Sequence, residues 1–316
     1  MFYKSMFSKL GVKIVSYKKV LTLLPVLMLL FFSFQNCSGV FNDGIQFSNT
    51  EALLRSVSCS TFDSGSESYS SCVDQKNGLL GRLFYLEDRT DGSSRAANLY
   101  TKEGKAIAFN DSALNSVNVI IEKGIVSESY ILMPKVDVPK ISFTEGFKIS
   151  ENQVLKDQSG KMLIEAFALD LIGDLQLPKS KQPGVYEIAL ISDDGSLLDI
   201  DLDDNGAYTR LIDNDGYHSA SIKCGSLFVD FSNGYKYPIR LRYYQGPRTA
   251  IALTLMMRRV DNAKTKTPGF VDSSCYSGFE SDDFATELGI KGWFIPGAEA
   301  FALPEVDDLE LLGTDL

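Results

Sequence analysis

Two adjacent carboxylates, Asp193 and Asp194, follow an apolar run and precede Gly195. Neighbouring carboxylates repel each other, and a shared cation or solvent relieves that repulsion. Asp-Asp-Gly is also a favourable turn sequence. The pair therefore indicates either a site for a shared cation or simply a turn between two strands.

A second acidic cluster, Asp201-x-Asp203-x-Asn205-Gly206, matches the first half of an EF-hand calcium loop. The last ligand position of that loop falls on Ile212, where a bidentate Glu is needed. We therefore predict no metal here, but a solvated strand face that leads into an Asn-Gly turn.

Catalytic signatures are sparse in this chain. His218 is the single histidine, and we predict that it is packed or hydrogen-bonded and has no catalytic role. The sequence contains no G-x-S-x-G, P-loop or H-E-x-x-H motif. Asp193 and Asp194 are adjacent, so they cannot readily flank a glycosidic bond from both sides. We expect that the protein is not an enzyme.

The amino terminus resembles an export signal. Five lysines and no acidic residue lie within residues 1–36, and the stretch from Val20 to Phe34 is apolar except for Thr22 and Ser33. This pattern predicts a secretory signal peptide, with an uncleaved membrane anchor as the alternative. The rest of the chain has 26 basic and 41 acidic residues. So acidic a body is a poor partner for nucleic acid.

Cys37 stands directly after the apolar run, as in bacterial lipoproteins, where the lipidated cysteine becomes the new amino terminus. Phe34-Gln35-Asn36 departs from the usual lipobox, whereas Ser38 favours sorting to the outer membrane. We predict lipidation at Cys37, which would anchor the protein to the membrane. The expected location is the outer membrane or the cell surface.

The other four cysteines are an even number in an oxidising compartment, which favours disulfides. Zinc is the rival interpretation, but no C-x-x-C spacing is present. Three pairings are possible. The pairing of Cys59 with Cys72 would close a small loop, and it would leave Cys224 and Cys275 to pin the C-terminal tail to the main domain. The predicted disulfide cysteines are Cys59, Cys72, Cys224 and Cys275.

Short runs of alternating apolar and polar residues extend from about Gly78 to Val260, with Gly, Asn and Asp between them. This pattern predicts an all-β, antiparallel β-sandwich. Residues 1–36 are the predicted signal peptide, 37–77 a tether with a disulfide loop, 78–260 the sandwich, and 261–316 an acidic extension packed on it. The predicted strands lie within Leu79–Tyr85, Val117–Ile121, Phe167–Ile172, Val185–Leu190, Leu198–Asp203, Ser226–Phe231, Ile239–Tyr243 and Ile251–Met256.

The stretch Gly184–Asp201, with the sequence GVYEIALISDDGSLLDID, resembles the core of the PA-fourteen domain, a β-sandwich of protective antigen, flocculins and bacterial adhesins. Further blocks follow in the order that this family has. They are Leu211–His218, the strand Leu227–Arg242 that ends in YPIRLR, and the loop YYQG at Tyr243–Gly246; upstream, Gly78–Gly81 resembles the opening strand. The resemblance covers about Gly78–Val260 and is weak over Thr90–Leu163.

The resemblance implies a calcium-dependent sugar site. In lectins of the family the matching Asp-Asp peptide is cis and both side chains bind calcium, which holds two vicinal hydroxyls of a sugar. Gln245 occupies the position of a second-loop ligand, where yeast adhesins usually have Asn. Gly246, Pro247 and Arg248 would line the sugar side, with Arg248 as a donor to a hydroxyl.

Two hypotheses of function follow. The first is a surface or outer-membrane-anchored lipoprotein whose sandwich binds carbohydrate through calcium, with a glycan or cell-surface polysaccharide as its partner. The second is a structural or protein-interaction module with the same fold and no sugar binding.

Overall fold

The computed structural model describes residues 62–63, 66–67, 77–87, 95, 117–128, 130–150, 153–248, 250–260 and 292–304. The predicted signal peptide, Cys37, Cys59, Cys72 and Cys275 lie outside the described residues. The elements are β1 Phe62–Asp63, β2 Ser66–Glu67, β3 Leu79–Tyr85, α1 Val117–Lys123, β4 Ile125–Val126, β5 Ile131–Met133, β6 Asp137–Ser142, a 3-10 turn Phe143–Glu145, β7 Lys148–Ser150, β8 Gln153–Val154, β9 Phe167–Gln176, β10 Val185–Asp193, β11 Ser196–Ile200, β12 Thr209–Asn214, β13 Ser221–Cys224, β14 Val229–Asp230, β15 Lys236–Gln245, β16 Ala250–Arg259, a 3-10 turn Ala298–Ala300, and β17 Phe301–Ala302.

Two sheets form the sandwich. Sheet A has the strand order β12-β11-β15-β9-β3, with β4 and β5 beside β3 and β17 beside β9. Sheet B has the order β13-β10-β16-β6, with β14 beside β10. All these pairings are antiparallel. The predicted all-β antiparallel sandwich is confirmed.

The core lies between the two sheets, because alternate residues of each strand point inward. Sheet A contributes residues from β9, β11 and β15, and sheet B contributes residues from β10 and β16. The buried set includes Leu169, Leu171, Leu198, Ile200, Ile239, Leu241 and Tyr243 from sheet A, and Ile188, Leu190, Ile251, Leu253, Leu255 and Met257 from sheet B.

The predicted strand at Val117–Ile121 is wrong, since these residues form the helix α1. Val117 and Ile120, one helical turn apart, are buried in a small cluster with Leu197 and Tyr244 on the outer side of sheet A. The β-branched residues favour a strand locally. Burial of one helical face against the sheet overrides that preference.

The predicted solvated face at Leu198–Asp203 is only partly right, because Asp203 is exposed but Asp199 and Asp201 are buried. Asp199 pairs with Arg210 and with Arg242, whose Nη2 lies 2.7 Å from Oδ2. The Asp201 carboxylate accepts backbone N–H bonds of the following turn, the shortest at 2.6 Å from Gly206. Asp201 therefore closes its own loop, as expected for a turn and not for a metal site.

The C-terminal extension packs on both sheets within residues 292–304. Phe294 and Met257 exchange two backbone hydrogen bonds of 2.9 Å, and Phe301 pairs with Leu175 of β9. Trp293 lies under the guanidinium of Arg258, 4.7 Å from the ring centroid. Among the described residues, no helix has the length and apolar character to cross a membrane.

Candidate functional site

Three chain crossings between the two sheets lie at one end of the sandwich, here called the crossing end. They are the β10–β11 turn, the β12–β13 loop 215–220 and the β15–β16 loop, of which residues 246–248 are described. The strand registers place them together, because Ser196 pairs with both Asn214 and Tyr243, and Asp193 pairs with Ala252. Asp193 and Asp194 lie in the first of these crossings.

Asp193 and Asp194 are 2% and 0% exposed, and the peptide bond between them is cis, as the resemblance implies. One oxygen of each carboxylate accepts a backbone N–H: Asp193 Oδ2 from Ala220 at 2.9 Å, and Asp194 Oδ2 from Gly246 at 2.7 Å. Each neighbouring crossing therefore holds one of the two aspartates. The two Oδ1 atoms are buried and have no hydrogen-bond partner among the described residues.

Burial raises the pKa of both carboxyl groups. For Asp194 burial is the largest cause; the N–H groups of Gly246 and His218 oppose it and the charge of Asp193 adds to it, which brings the pKa to about 7. Burial likewise raises the pKa of Asp193 against the opposing N–H of Ala220. A cation beside the two Oδ1 atoms would satisfy both oxygens and lower both pKa values.

Gly195 completes the turn because no side chain fits there. A Cβ at this position would lie 2.4 Å from Cε1 of Tyr244, 2.7 Å from Oδ1 of Asp215 and 2.8 Å from the amide nitrogen of Gly216. The glycine thus lets the β10–β11 turn approach the 215–220 loop closely, which brings Asp194 under that loop.

Gln245, the predicted second-loop ligand, is fully buried at the end of β15. Its Oε1 accepts from the Tyr243 hydroxyl at 2.6 Å, and its Nε2 donates to the carbonyls of Pro247 and Ala250 at 3.1 and 2.9 Å. The Tyr243 hydroxyl also lies 2.6 Å from the carbonyl oxygen of Asp193. Gln245 therefore holds its own loop, and its role as a calcium ligand, through the remaining lone pair of Oε1, stays a prediction.

The predicted sugar-side residues Gly246 and Arg248 lie in the β15–β16 loop. The Gly246 N–H bonds Asp194, and its carbonyl accepts the N–H of Ala166 at 3.1 Å. Arg248 is 41% exposed, and its Nη2 bonds Oε1 of the buried Glu165 at 2.7 Å. Gly246 thus contacts the aspartate pair directly, and Arg248 follows two residues later in the same loop.

His218 is hydrogen-bonded, as predicted. Its Nδ1 lies 2.9 Å from the Ser219 carbonyl oxygen, and its Nε2 lies 2.9 Å from that of Asn214. The 215–220 loop is also tied to α1, because Asp215 accepts the N–H of Val117 at 2.9 Å. These bonds fix the loop that offers the Ala220 N–H to Asp193.

A cation such as calcium fits the two Oδ1 atoms, which are hard oxygen donors in a buried place. Asp193 and Asp194 would hold it, and the further oxygens would have to be amide, backbone or ligand oxygens. The described residues contain no cluster of three or more His, Cys, Asp or Glu side chains.

Sequence reasoning missed three contributors to this site. Tyr243 occupies an apolar position of an alternating strand, so the sequence indicated a core residue and not a hydroxyl beside Asp193 and Gln245. Ala220 acts through its backbone, which side-chain patterns do not show. Glu165 lies just after the stretch that resembles the family only weakly, and its only signal was an acidic residue directly before an apolar strand.

Cys224 ends β13 and is buried. Because Cys59, Cys72 and Cys275 lie outside the described residues, the disulfide pairing stays a prediction.

No family model matches this sequence, and no curated protein matches it significantly. Solved structures that are similar include an anti-sigma factor domain-containing protein (15% identity, 73% of this chain and 49% of that chain, TM-score 0.37). They also include a PA14 sugar-binding domain from an RTX adhesin (18% identity, 58% of this chain and 90% of that chain, TM-score 0.36). A third is the Epithelial Adhesin 6 A domain from Candida glabrata in complex with Galβ1-3GlcNAc (16% identity, 68% of this chain and 97% of that chain, TM-score 0.37). This chain thus spans about half of the first of these proteins, and the assignment of a sandwich follows from its own strands.

Proposed function

We propose that this protein binds carbohydrate through a calcium ion held by Asp193 and Asp194. The observation that carries the proposal is the pair of buried Oδ1 atoms without a hydrogen-bond partner among the described residues. A buried polar atom left unsatisfied costs about 1–3 kcal/mol, and more when it is charged. Two such atoms on adjacent residues are accounted for if a cation lies between them.

Backbone groups of the two neighbouring loops orient the two aspartates. The Ala220 and Gly246 N–H groups hold one oxygen of each aspartate, so the other two oxygens stay available to one ion. Calcium bound there would offer open coordination positions to two vicinal hydroxyls of a sugar. Arg248, at the border of the site, has N–H groups beyond the one that bonds Glu165 and can donate to a hydroxyl.

Calcium titration calorimetry on the oxidised, metal-stripped protein tests the proposal. We expect one calcium ion per chain, and none for the Asp193→Asn/Asp194→Asn variant. A glycan array with and without chelator then tests the sugar. Calcium binding without any glycan would favour the alternative, a structural or protein-interaction module. No binding at millimolar calcium would end the proposal.

We also propose that the protein is exported, lipidated at Cys37 and anchored at the outer membrane or the cell surface. The support is the basic and apolar amino terminus that ends at Cys37. Cys37→Ser should move the protein from the membrane fraction to the soluble fraction. Retention of this variant in the membrane would favour an uncleaved anchor instead.

A further inference from the structure

The β15–β16 loop is held from its flank by the two residues that precede β9. The Ala166 N–H donates to the Gly246 carbonyl at 3.1 Å, and Oε1 of Glu165 accepts from Nη2 of Arg248 at 2.7 Å. Gly246 itself donates to Asp194 on the other side. The loop is therefore clamped between the aspartate pair and the segment 165–166.

Glu165 is a buried carboxylate with a side chain only 2% exposed, whereas Arg248 is 41% exposed. Oε1 of Glu165 also accepts the backbone N–H of Arg95 at 3.2 Å. The guanidinium of Arg95 in turn bonds the Leu86 carbonyl at 2.9 Å and Asp157 at 2.6 Å. A buried polar network thus ends at Arg248, in the loop whose Gly246 bonds Asp194.

The backbone next to Glu165 is fixed in an uncommon geometry. Ala166 has a φ of 52°, in the left-handed region that few non-glycine residues adopt. Its carbonyl accepts the N–H of Leu86 at 3.0 Å while its own N–H bonds Gly246. Segment 165–166 is therefore locked between the end of β3 and the loop, and such outliers often accompany functional sites.

We infer that Glu165 is a positioning residue, which holds Arg248 and residues 246–248 in one arrangement beside Asp194. Buried charge pairs stay ordered when each partner satisfies the other, and removal of one partner leaves the second without its bond. The inference rests on the proposed function in that residues 246–248 would line the sugar site. It adds a residue that makes no contact with the ion or the sugar and acts through Arg248.

Hydrogen exchange of the peptide that spans residues 244–250 tests the positioning role. We expect Glu165→Gln and Arg248→Gln each to speed exchange in this loop by about tenfold, the scale of one hydrogen bond to a charged group. The double variant should be no faster than either single variant, because both remove the same bond. Arg248→Gln changes a surface side chain, so it serves even if Glu165→Gln folds poorly.

Asp174→Asn is the matched control, since Asp174 is also 2% exposed and pairs at 2.6 Å with a half-exposed base, Lys236. That pair joins β9 and β15 at the end of these strands that lies away from the loop. Asp174 faces Pro238 near the start of β15, whereas the loop follows the end of β15. Asp174→Asn should leave exchange of the loop unchanged. Unchanged exchange in Glu165→Gln, additive effects in the double variant, or equal acceleration throughout β9 and β15 would each overturn the inference.

Calcium affinity of the same variants separates this inference from the proposed function. We expect Glu165→Gln to weaken calcium binding several-fold, on the scale of about one hydrogen bond, while Asp174→Asn does not. If the wild-type protein binds no calcium, the proposed function fails and the exchange data alone decide the role of Glu165. If calcium binds but loop exchange is unchanged in Glu165→Gln, only the positioning inference fails.

Discussion

Replacement of Asp194 by Asn should stabilise the calcium-free protein at pH 8. Burial raises the pKa of Asp194 from 3.8 to about 7, so ionisation of this group in the fold costs about 4 kcal/mol of unfolding free energy at pH 8. Asn carries no charge, but its amide nitrogen would place an unsatisfied donor in the buried position, at a cost of about 1–3 kcal/mol. The expected net gain is about 2 kcal/mol.

Excess calcium should reverse the order of the two proteins. A ligand at a hundredfold excess over its dissociation constant adds about 3 kcal/mol to the stability of the wild type. Asp194→Asn has lost one of the two carboxylate ligands, so it should gain little. Chemical denaturation in chelator and in millimolar calcium measures both differences directly.

The pH dependence provides a second measurement of the same effect. Between pH 3.8 and about 7 the folded protein keeps a proton on Asp194 that the unfolded chain has released. The stability of the calcium-free wild type should therefore fall as the pH rises through this window. Asp194→Asn should lack this part of the slope.

Asp201→Asn is the control, because Asp201 is equally buried but both of its oxygens accept backbone N–H bonds. This variant should lose stability alike with and without calcium. If Asp194→Asn behaves in the same way, losing stability regardless of calcium, then the aspartate pair acts as a turn and the cation argument is refuted.

Three further outcomes are expected. Gly195→Ala should lower stability by about 1–3 kcal/mol and weaken calcium binding, because its Cβ would lie 2.4 Å from the ring of Tyr244; an unchanged melting temperature would contradict this. Tyr243→Phe should weaken calcium affinity and cost about 1–3 kcal/mol, since the one hydroxyl proton is shared between the Asp193 carbonyl oxygen and Oε1 of Gln245; calorimetry and denaturation measure both effects. Glu187→Gln should cost about 3–5 kcal/mol, because it removes the charge of a fully buried carboxylate that pairs with the partly buried Arg258, and calcium affinity should stay as in the wild type.

The sequence determined the architecture, because strand alternation and turn residues are local properties. The inward-facing residues predicted within β9, β10, β15 and β16 lie in the core as expected. The short strands β6 and β12 were not predicted, since β6 contains Pro139 at a sheet edge and β12 has few apolar residues. The segment that forms helix α1 was predicted to be a strand because its β-branched residues favour one, and only its burial against sheet A overrides that preference.

The aspartate pair was likewise visible in the sequence, because Asp-Asp-Gly after an apolar run is a local motif. Its surroundings were not, because they come from segments distant in the chain. Only the crossings of strands between the sheets bring the N–H groups of Ala220 and Gly246 to Asp193 and Asp194. The types of neighbouring side chains can be read from the sequence and indicate which chemistry is possible. Burial, hydrogen-bond partners and the bond of Glu165 to Arg248 depend on contacts that only the tertiary fold creates.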